Sequence, residues 1–197
     1  MKEFRNERYS EDEYVYGENP NEYFKESLSK LKVGKILLPC DGEGRNAVYA
    51  ATQKWEVTAF DQSEEAKEKA LLLGNKKNVK FDFRIADAGD YEYGENKYDA
   101  IALIYAHFPE DLRKKVHTSV VKALKVGGTL ILEGFNPNQI DLKSGGPKDE
   151  KMLFTKEMIE SDFKELTTIE LNSLNIELNE GKYHKGKAAV IQYMGRK

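Results

Sequence analysis

Apolar residues fall in short runs along this chain, with amphipathic stretches between them. Residues 35–39 (KILLP) and 56–60 (EVTAF) are brief and apolar, 79–85 (VKFDFRI) alternates, and 99–105 (DAIALIY) and 129–133 (TLILE) are apolar again. Runs of this length predict strands, and the near-continuous run at 99–105 suits a strand covered on both faces. Between them, 45–53, 64–73 and 110–124 carry apolar residues at helical spacing. Ser63 stands before an acidic first turn, Glu64-Glu65, as an N-cap does. Strands alternating with helices predict right-handed βαβ units and a doubly wound, mostly parallel sheet.

Both ends break this rhythm. Residues 1–24 are rich in Tyr, Glu and Asn and are punctuated by Gly17 and Asn19-Pro20, so they are expected to drape over the main body. Residues 21–31 read as a short helix with Tyr23, Phe24, Leu28 and Leu31 on one face. After 134, a Gly/Pro/Asn/Ser-rich loop at 136–147 leads to a helix at 155–163. Two strands follow, 167–178 and 188–194, around a polar tip at 179–187. The fold expected is therefore α/β, a seven-stranded sheet ending in an antiparallel hairpin. No linker or repeat divides it. One domain spans 1–197: a cap segment and helix at 1–31, a ligand-binding half at 32–134, and a loop, helix and hairpin at 135–197.

With 197 residues, 40% hydrophobic and 33% charged, the chain can bury a core. A net charge of −3 without a Lys/Arg block argues against a nucleic-acid partner. The longest apolar run, near 100–106, is too short for a membrane span. The polar start lacks the apolar stretch of a signal peptide. A single cysteine, Cys40, fits a reducing compartment, so a cytoplasmic location is expected. His107, His117 and His184 are not at ligand spacing, and Cys40 has no partner cysteine, so no metal is expected.

The chemistry concentrates at strand ends. The first strand runs into Leu38-Pro39-Cys40-Asp41-Gly42-Glu43-Gly44-Arg45-Asn46, a turn that opens a helix. Glycines there let backbone approach a ligand, and the helix supplies free N–H groups. A tight βα turn with no ligand is the plain alternative. Asp61 ends the next strand, 17 residues beyond Gly44, where a carboxylate can accept ribose hydroxyls. Asp87, after the third, can accept from an adenine amino group. A turn or capping role is the alternative for each. Three such features in succession point to an adenosine ligand. Asp41 and Glu43 inside the turn are poor company for a pyrophosphate but suit a sulfonium cation, which favours S-adenosylmethionine over NAD.

In order and spacing, Gly42-Glu43-Gly44-Arg45-Asn46-Ala47 followed by Val57-Thr58-Ala59-Phe60-Asp61-Gln62-Ser63 resembles class I S-adenosylmethionine-dependent methyltransferases, within them the tellurite-resistance-methyltransferase-like group. Leu124-Lys125-Val126-Gly127-Gly128-Thr129-Leu130 resembles the family's late helix-to-strand turn. The resemblance implies a Rossmann-like fold and S-adenosylmethionine as cofactor. It implies that Pro39 through Asn46, with Asp61 and Gln62, Asp87 and Ala88, and Tyr105 line the cofactor site: Asp61 on ribose, Asp87 and Ala88 on adenine. The family often has an acid at the position of Leu38 and a glycine at that of Cys40; here Asp41 or Glu43 would hold the cofactor's amino group instead.

An acceptor would approach the end of the fourth strand. His107 there is a candidate general base, or else a histidine bonded to loop backbone. Tyr16, Tyr105, His107 and His184 are the candidate acceptor contacts, and Tyr9, Tyr14 and Tyr16 are candidates for a lid over the sulfonium. His117, within a helix, is expected to be solvated. Cys40 reads as a small packed thiol. The reaction expected is methyl transfer to a small-molecule nucleophile such as a thiol or an oxyanion. A non-catalytic module binding S-adenosylmethionine or S-adenosylhomocysteine, or an NAD-dependent oxidoreductase, is the alternative. A monomer or homodimer is expected, with 188–194 offering an edge.

Overall fold

A computed structural model describes residues 2–11 and 13–197, with side chains from residue 6 onward; Met1 and Asp12, part of the expected cap segment, lie outside the described residues. Seven strands form one sheet: β1 (Lys35–Pro39), β2 (Glu56–Asp61), β3 (Asp82–Ile85), β4 (Tyr98–Ile104), β5 (Leu124–Phe135), β6 (Thr167–Glu180) and β7 (His184–Arg196). Their order is β3-β2-β1-β4-β5-β7-β6. The first five strands pair in parallel, and β7 enters antiparallel between β5 and β6.

Helices cover both faces. On one side α2 (Glu22–Ser29), α3 (Arg45–Thr52) and α4 (Glu64–Lys76) bury Phe24, Leu28, Ala47, Ala50 and Ala70 against Ile36, Leu38 and Ala59. On the other, α5 (Glu110–Ala123) and α6 (Lys156–Asp162) bury Val116, Val120 and Ile159 against Leu37, Ile101 and Leu132. Alternate residues of β1 thus enter opposite cores, which is why the strand reads as uninterrupted apolar sequence. Each fully buried large side chain contributes about 1.5–3 kcal/mol. Ser63 caps α4 as expected, accepting from Ala66 N–H at 3.2 Å.

Several boundaries differ from expectation. A further helix, α1 (Lys2–Tyr9), packs near α4 within the segment expected only to drape. The third strand begins at Asp82 rather than 79, because Val79 N–H closes the end of α4 on Gly74 O at 2.9 Å. The polar tip is only Gly181-Lys182-Tyr183: β6 and β7 continue through 179–187 and pair Glu180 with His184. Backbone pairing needs no apolar side chains, so polar residues extend the ladder. The stretch 188–194 is not an edge either; β6 covers it. Among the described residues, no helix is long and apolar enough to cross a membrane.

Candidate functional site

Strand order reverses between β1 and β4, and ligands of doubly wound sheets bind outside the carboxyl ends of strands at such a point. A cavity of about 710 Å³ lies there, a size typical of small-molecule sites. Its floor is the turn after β1. Its walls include Tyr105 after β4, Phe135 at the end of β5, the Gly145–Gly146 loop, Tyr16 and His184.

The turn is built to present backbone. Cys40, Gly42 and Gly44 all have left-handed φ, at 57°, 57° and 81°. Gly44 has no room for a side chain: a Cβ would come within 2.5 Å of Ala70 Cβ, so α3 and α4 pack closely at this point. Asp61 lies beneath the turn, wholly buried, its Oδ2 accepting Gly42 N–H at 3.2 Å and its Oδ1 accepting Ser63 N–H at 3.1 Å. Asp41 Oδ2 accepts Ala47 N–H in the first turn of α3 at 3.1 Å. Part of Asp41 still faces the cavity, and burial pushes its carboxyl up to about 7 against the pull of Ala47, Asn46 and Arg45. Glu43 turns toward the N-terminal segment, accepting Val15 N–H at 2.9 Å and pairing with Lys69 at 2.9 Å.

A buried polar network supports the opposite wall. Glu133 on β5 accepts Tyr105 Oη–H at 2.7 Å, Asn21 Nδ2–H at 2.6 Å and Gln192 Nε2–H at 2.6 Å. Asn21 also reaches Glu180 Oε1 at 3.1 Å while capping α2. Glu180 Oε2 takes Arg45 at 2.9 Å and His184 Nδ1 at 3.2 Å. Burial acts to raise the Glu180 carboxyl; the His184 hydrogen bond and the Arg45 charge outweigh it and hold it near 2. Burial, with Glu133 nearby, raises the Tyr105 phenol well above its ordinary value. Tyr105 sits at a left-handed φ of 53°, its ring stacked on Phe135 at 4.7 Å and edge-on to His184 at 4.6 Å.

Of the residues expected at the site, Cys40, Asp41, Gly42, Glu43, Arg45, Asn46, Tyr16, Tyr105, His107 and His184 line the cavity. Pro39, Gly44, Asp61, Gln62, Asp87 and Ala88 do not: Asp61 holds the turn, and Asp87 closes a loop on Gly89 N–H at 2.8 Å. Tyr9 lies against the turn, its hydroxyl 2.7 Å from where a Gly42 Cβ would be. Tyr14 points elsewhere, donating to Lys69 O on α4.

His107 takes the second of its two expected roles, bonding backbone, and His117 differs from expectation. His107 donates from Nδ1 to Met152 O at 2.7 Å and accepts Phe135 N–H at Nε2 at 3.0 Å. Both ring nitrogens are committed, and burial lowers its pKa to about 4; the ring ties the turn at Met152 to the end of β5 and has no free nitrogen to act as a base. His117 is not solvated: it is fully buried, donates to Asp162 at 2.7 Å and stacks on Phe163 at 4.5 Å.

Asn21, Glu133 and Glu180 are the residues that sequence reasoning missed. Glu133 carried a usable signal: a carboxylate closing the apolar run TLILE must be buried and partnered.

Comparison with known proteins places this geometry in context. Residues 36–128, from β1 into β5, match the family model described as "Methyltransferase domain". No curated protein sequence matches the chain. Among solved structures, TehB from Haemophilus influenzae is similar at 18% identity and a TM-score of 0.75, over 90% of this chain and 62% of that one. The N-methyltransferase NodS from Bradyrhizobium japonicum WM9, in complex with S-adenosyl-L-homocysteine, is similar at 15% identity and a TM-score of 0.73, over 99% and 97%. A chain solved in work on the conversion of a disulfide bond into a thioacetal group during echinomycin biosynthesis is similar at 18% identity and a TM-score of 0.77, over 100% and 93%.

Proposed function

We propose that this chain is a class I S-adenosylmethionine-dependent methyltransferase, and that it moves the methyl group to a small-molecule nucleophile bound in the cavity between the β1 turn and the Tyr105–His184 wall; the methyltransferase-domain match over 36–128 and the shared fold support this reading. One observation carries this reading. The cavity joins a backbone-rich turn bearing a half-buried acid to an aromatic wall at the carboxyl ends of β4 and β5.

The residues present fit the cofactor. Asp41, whose carboxyl is pushed up to about 7 by burial, would be drawn to its charged form by an ammonium group, and that charge would repel a pyrophosphate. Asp61 fixes the shape of the turn by accepting Gly42 N–H and Ser63 N–H. Tyr16, Tyr105 and Phe135 offer ring faces, which attract cations. When bound, S-adenosylmethionine supplies an activated methyl on a sulfonium, so the chain's own residues need mainly to orient, enclose and exclude water.

The N-terminal segment, the 145–149 loop and the β6–β7 tip all contribute to the cavity lining, which favours a small acceptor. The test is incubation with methyl-labelled S-adenosylmethionine and pools of thiols, amines and oxyanions. Label on a small product with release of S-adenosylhomocysteine is expected. Cofactor binding with no turnover on any pool, and label on an added protein instead, would contradict a small acceptor.

A further inference from the structure

We propose that His184, oriented by Glu180, is the general base of this site and that the acceptor is a protic nucleophile, of which a thiol is the simplest; this rests on the methyl-transfer reading above. The β6–β7 turn places Glu180 and His184 opposite one another. Glu180 accepts from His184 Nδ1 at 3.2 Å and is held ionised by Arg45 at 2.9 Å. An ionised carboxylate can only accept, so the ring proton sits on Nδ1 and the lone pair on Nε2. No described residue bonds Nε2, and the ring lines the cavity within 4.6 Å of the Tyr16 and Tyr105 rings. Gly145 runs along the edge of the imidazole: a Cβ there would lie 3.2 Å from Nε2 and 2.8 Å from Cδ2. Glycine therefore keeps the approach to Nε2 open.

The other two histidines lack this combination. His107 has both nitrogens bonded, and His117 is sealed from the cavity. The charged and titratable groups facing His184 are Glu180 on β6, Arg45 on α3, Tyr105 after β4, Tyr16 and Arg8 from the N-terminal segment, and His107, which shares Phe135 as a ring neighbour. Burial lowers the His184 pKa, Glu180 opposes this, and Arg45 and Arg8 add to the lowering. The net lowering favours the neutral ring, the form that a base requires.

In the step, the acceptor's S–H proton passes to His184 Nε2. The freed sulfur pair forms the new bond to the methyl carbon as the methyl–sulfonium bond breaks, its electrons staying on the departing sulfur. Glu180 stabilises the imidazolium until it returns the proton to water. An oxyanion such as tellurite brings its own lone pairs and would need no base.

Nitrogen NMR of the wild-type protein loaded with S-adenosylhomocysteine reads the ring directly. Nδ1 protonated and Nε2 bare at pH 7 is expected; a protonated Nε2 overturns the proposal, whatever any variant does. Methyl transfer is then compared on 2-mercaptoethanol, protonated at neutral pH, and 5-thio-2-nitrobenzoate, already ionised. His184→Gln is expected to slow the first by about 100-fold or more and to leave the second within a few-fold. Glu180→Gln should move the rising, acid-side limb of the 2-mercaptoethanol profile to lower pH, since Glu180 raises the His184 pKa. Equal losses on both thiols, or wild-type transfer to neither, overturns the assignment. Failure of the methyl-transfer reading itself shows separately, as wild-type protein that binds no S-adenosylhomocysteine.

Discussion

Gly44 and Asp41 illustrate how much of the site rests on single positions. Gly44 combines a φ of 81° with contact against Ala70, leaving no space for a methyl group. Gly44→Ala is expected to destabilise the protein by about 1–3 kcal/mol, read as a lower urea midpoint at unchanged slope. Asp41 predicts a pH dependence. Its folded pKa, about 7, is raised above the ordinary 3.8 by burial, so its contribution to folding is fullest below pH 4 and is lost as pH rises through 7. Binding of a cationic ligand has the opposite sign, because only the carboxylate attracts it. Affinity for S-adenosylmethionine should tighten as pH rises toward 7, by up to about tenfold per unit, with proton release seen by calorimetry in buffers of different ionisation enthalpy. Asp41→Asn should flatten that dependence.

The β6–β7 hairpin is fastened to α3 by one buried ion pair, Arg45–Glu180, whose side chains are 8% and 12% exposed. Arg45→Met would leave the buried Glu180 carboxylate without its cationic partner, at a cost of about 3–5 kcal/mol, with hydrogen exchange rising first at the tip around residues 180–184. Asn21 links the same hairpin to β5 and α2, so Asn21→Ala should cost about 1–3 kcal/mol through a lost cap and an unpaired Glu180 Oε1, measured by chemical unfolding. These elements also mark where the sequence was legible. Buried parallel strands such as β1 and β4 declare themselves as unbroken apolar runs, and the Ser63 cap by its acidic first turn. The hairpin tip did not, because Asn179, Glu180, Lys185 and Lys187 are held in strand by backbone pairing and carry no apolar pattern. His117 was misread because the spacing of one helix cannot show that Asp162, 45 residues later, packs over it.

The fold as a whole brings together what the sequence spread widely. The turn at 40–46, Tyr105, Glu133, Glu180 and His184 meet at one rim because their strands end there, and the N-terminal segment closes over them through Glu43, Lys69 and Arg45. The residues of the cofactor turn were readable locally, as glycine and acid after a strand. The Glu133–Asn21–Glu180 network was not, since its members lie 112 and 159 positions from Asn21 and only sheet topology unites them. The account depends on one ligand occupying that rim. Calorimetric titration of the purified chain with S-adenosylhomocysteine, repeated in the presence of NAD, tests this most directly. One equivalent of S-adenosylhomocysteine bound per chain, with NAD failing to compete, is the predicted result. No binding of S-adenosylhomocysteine, or its displacement by NAD, would contradict it.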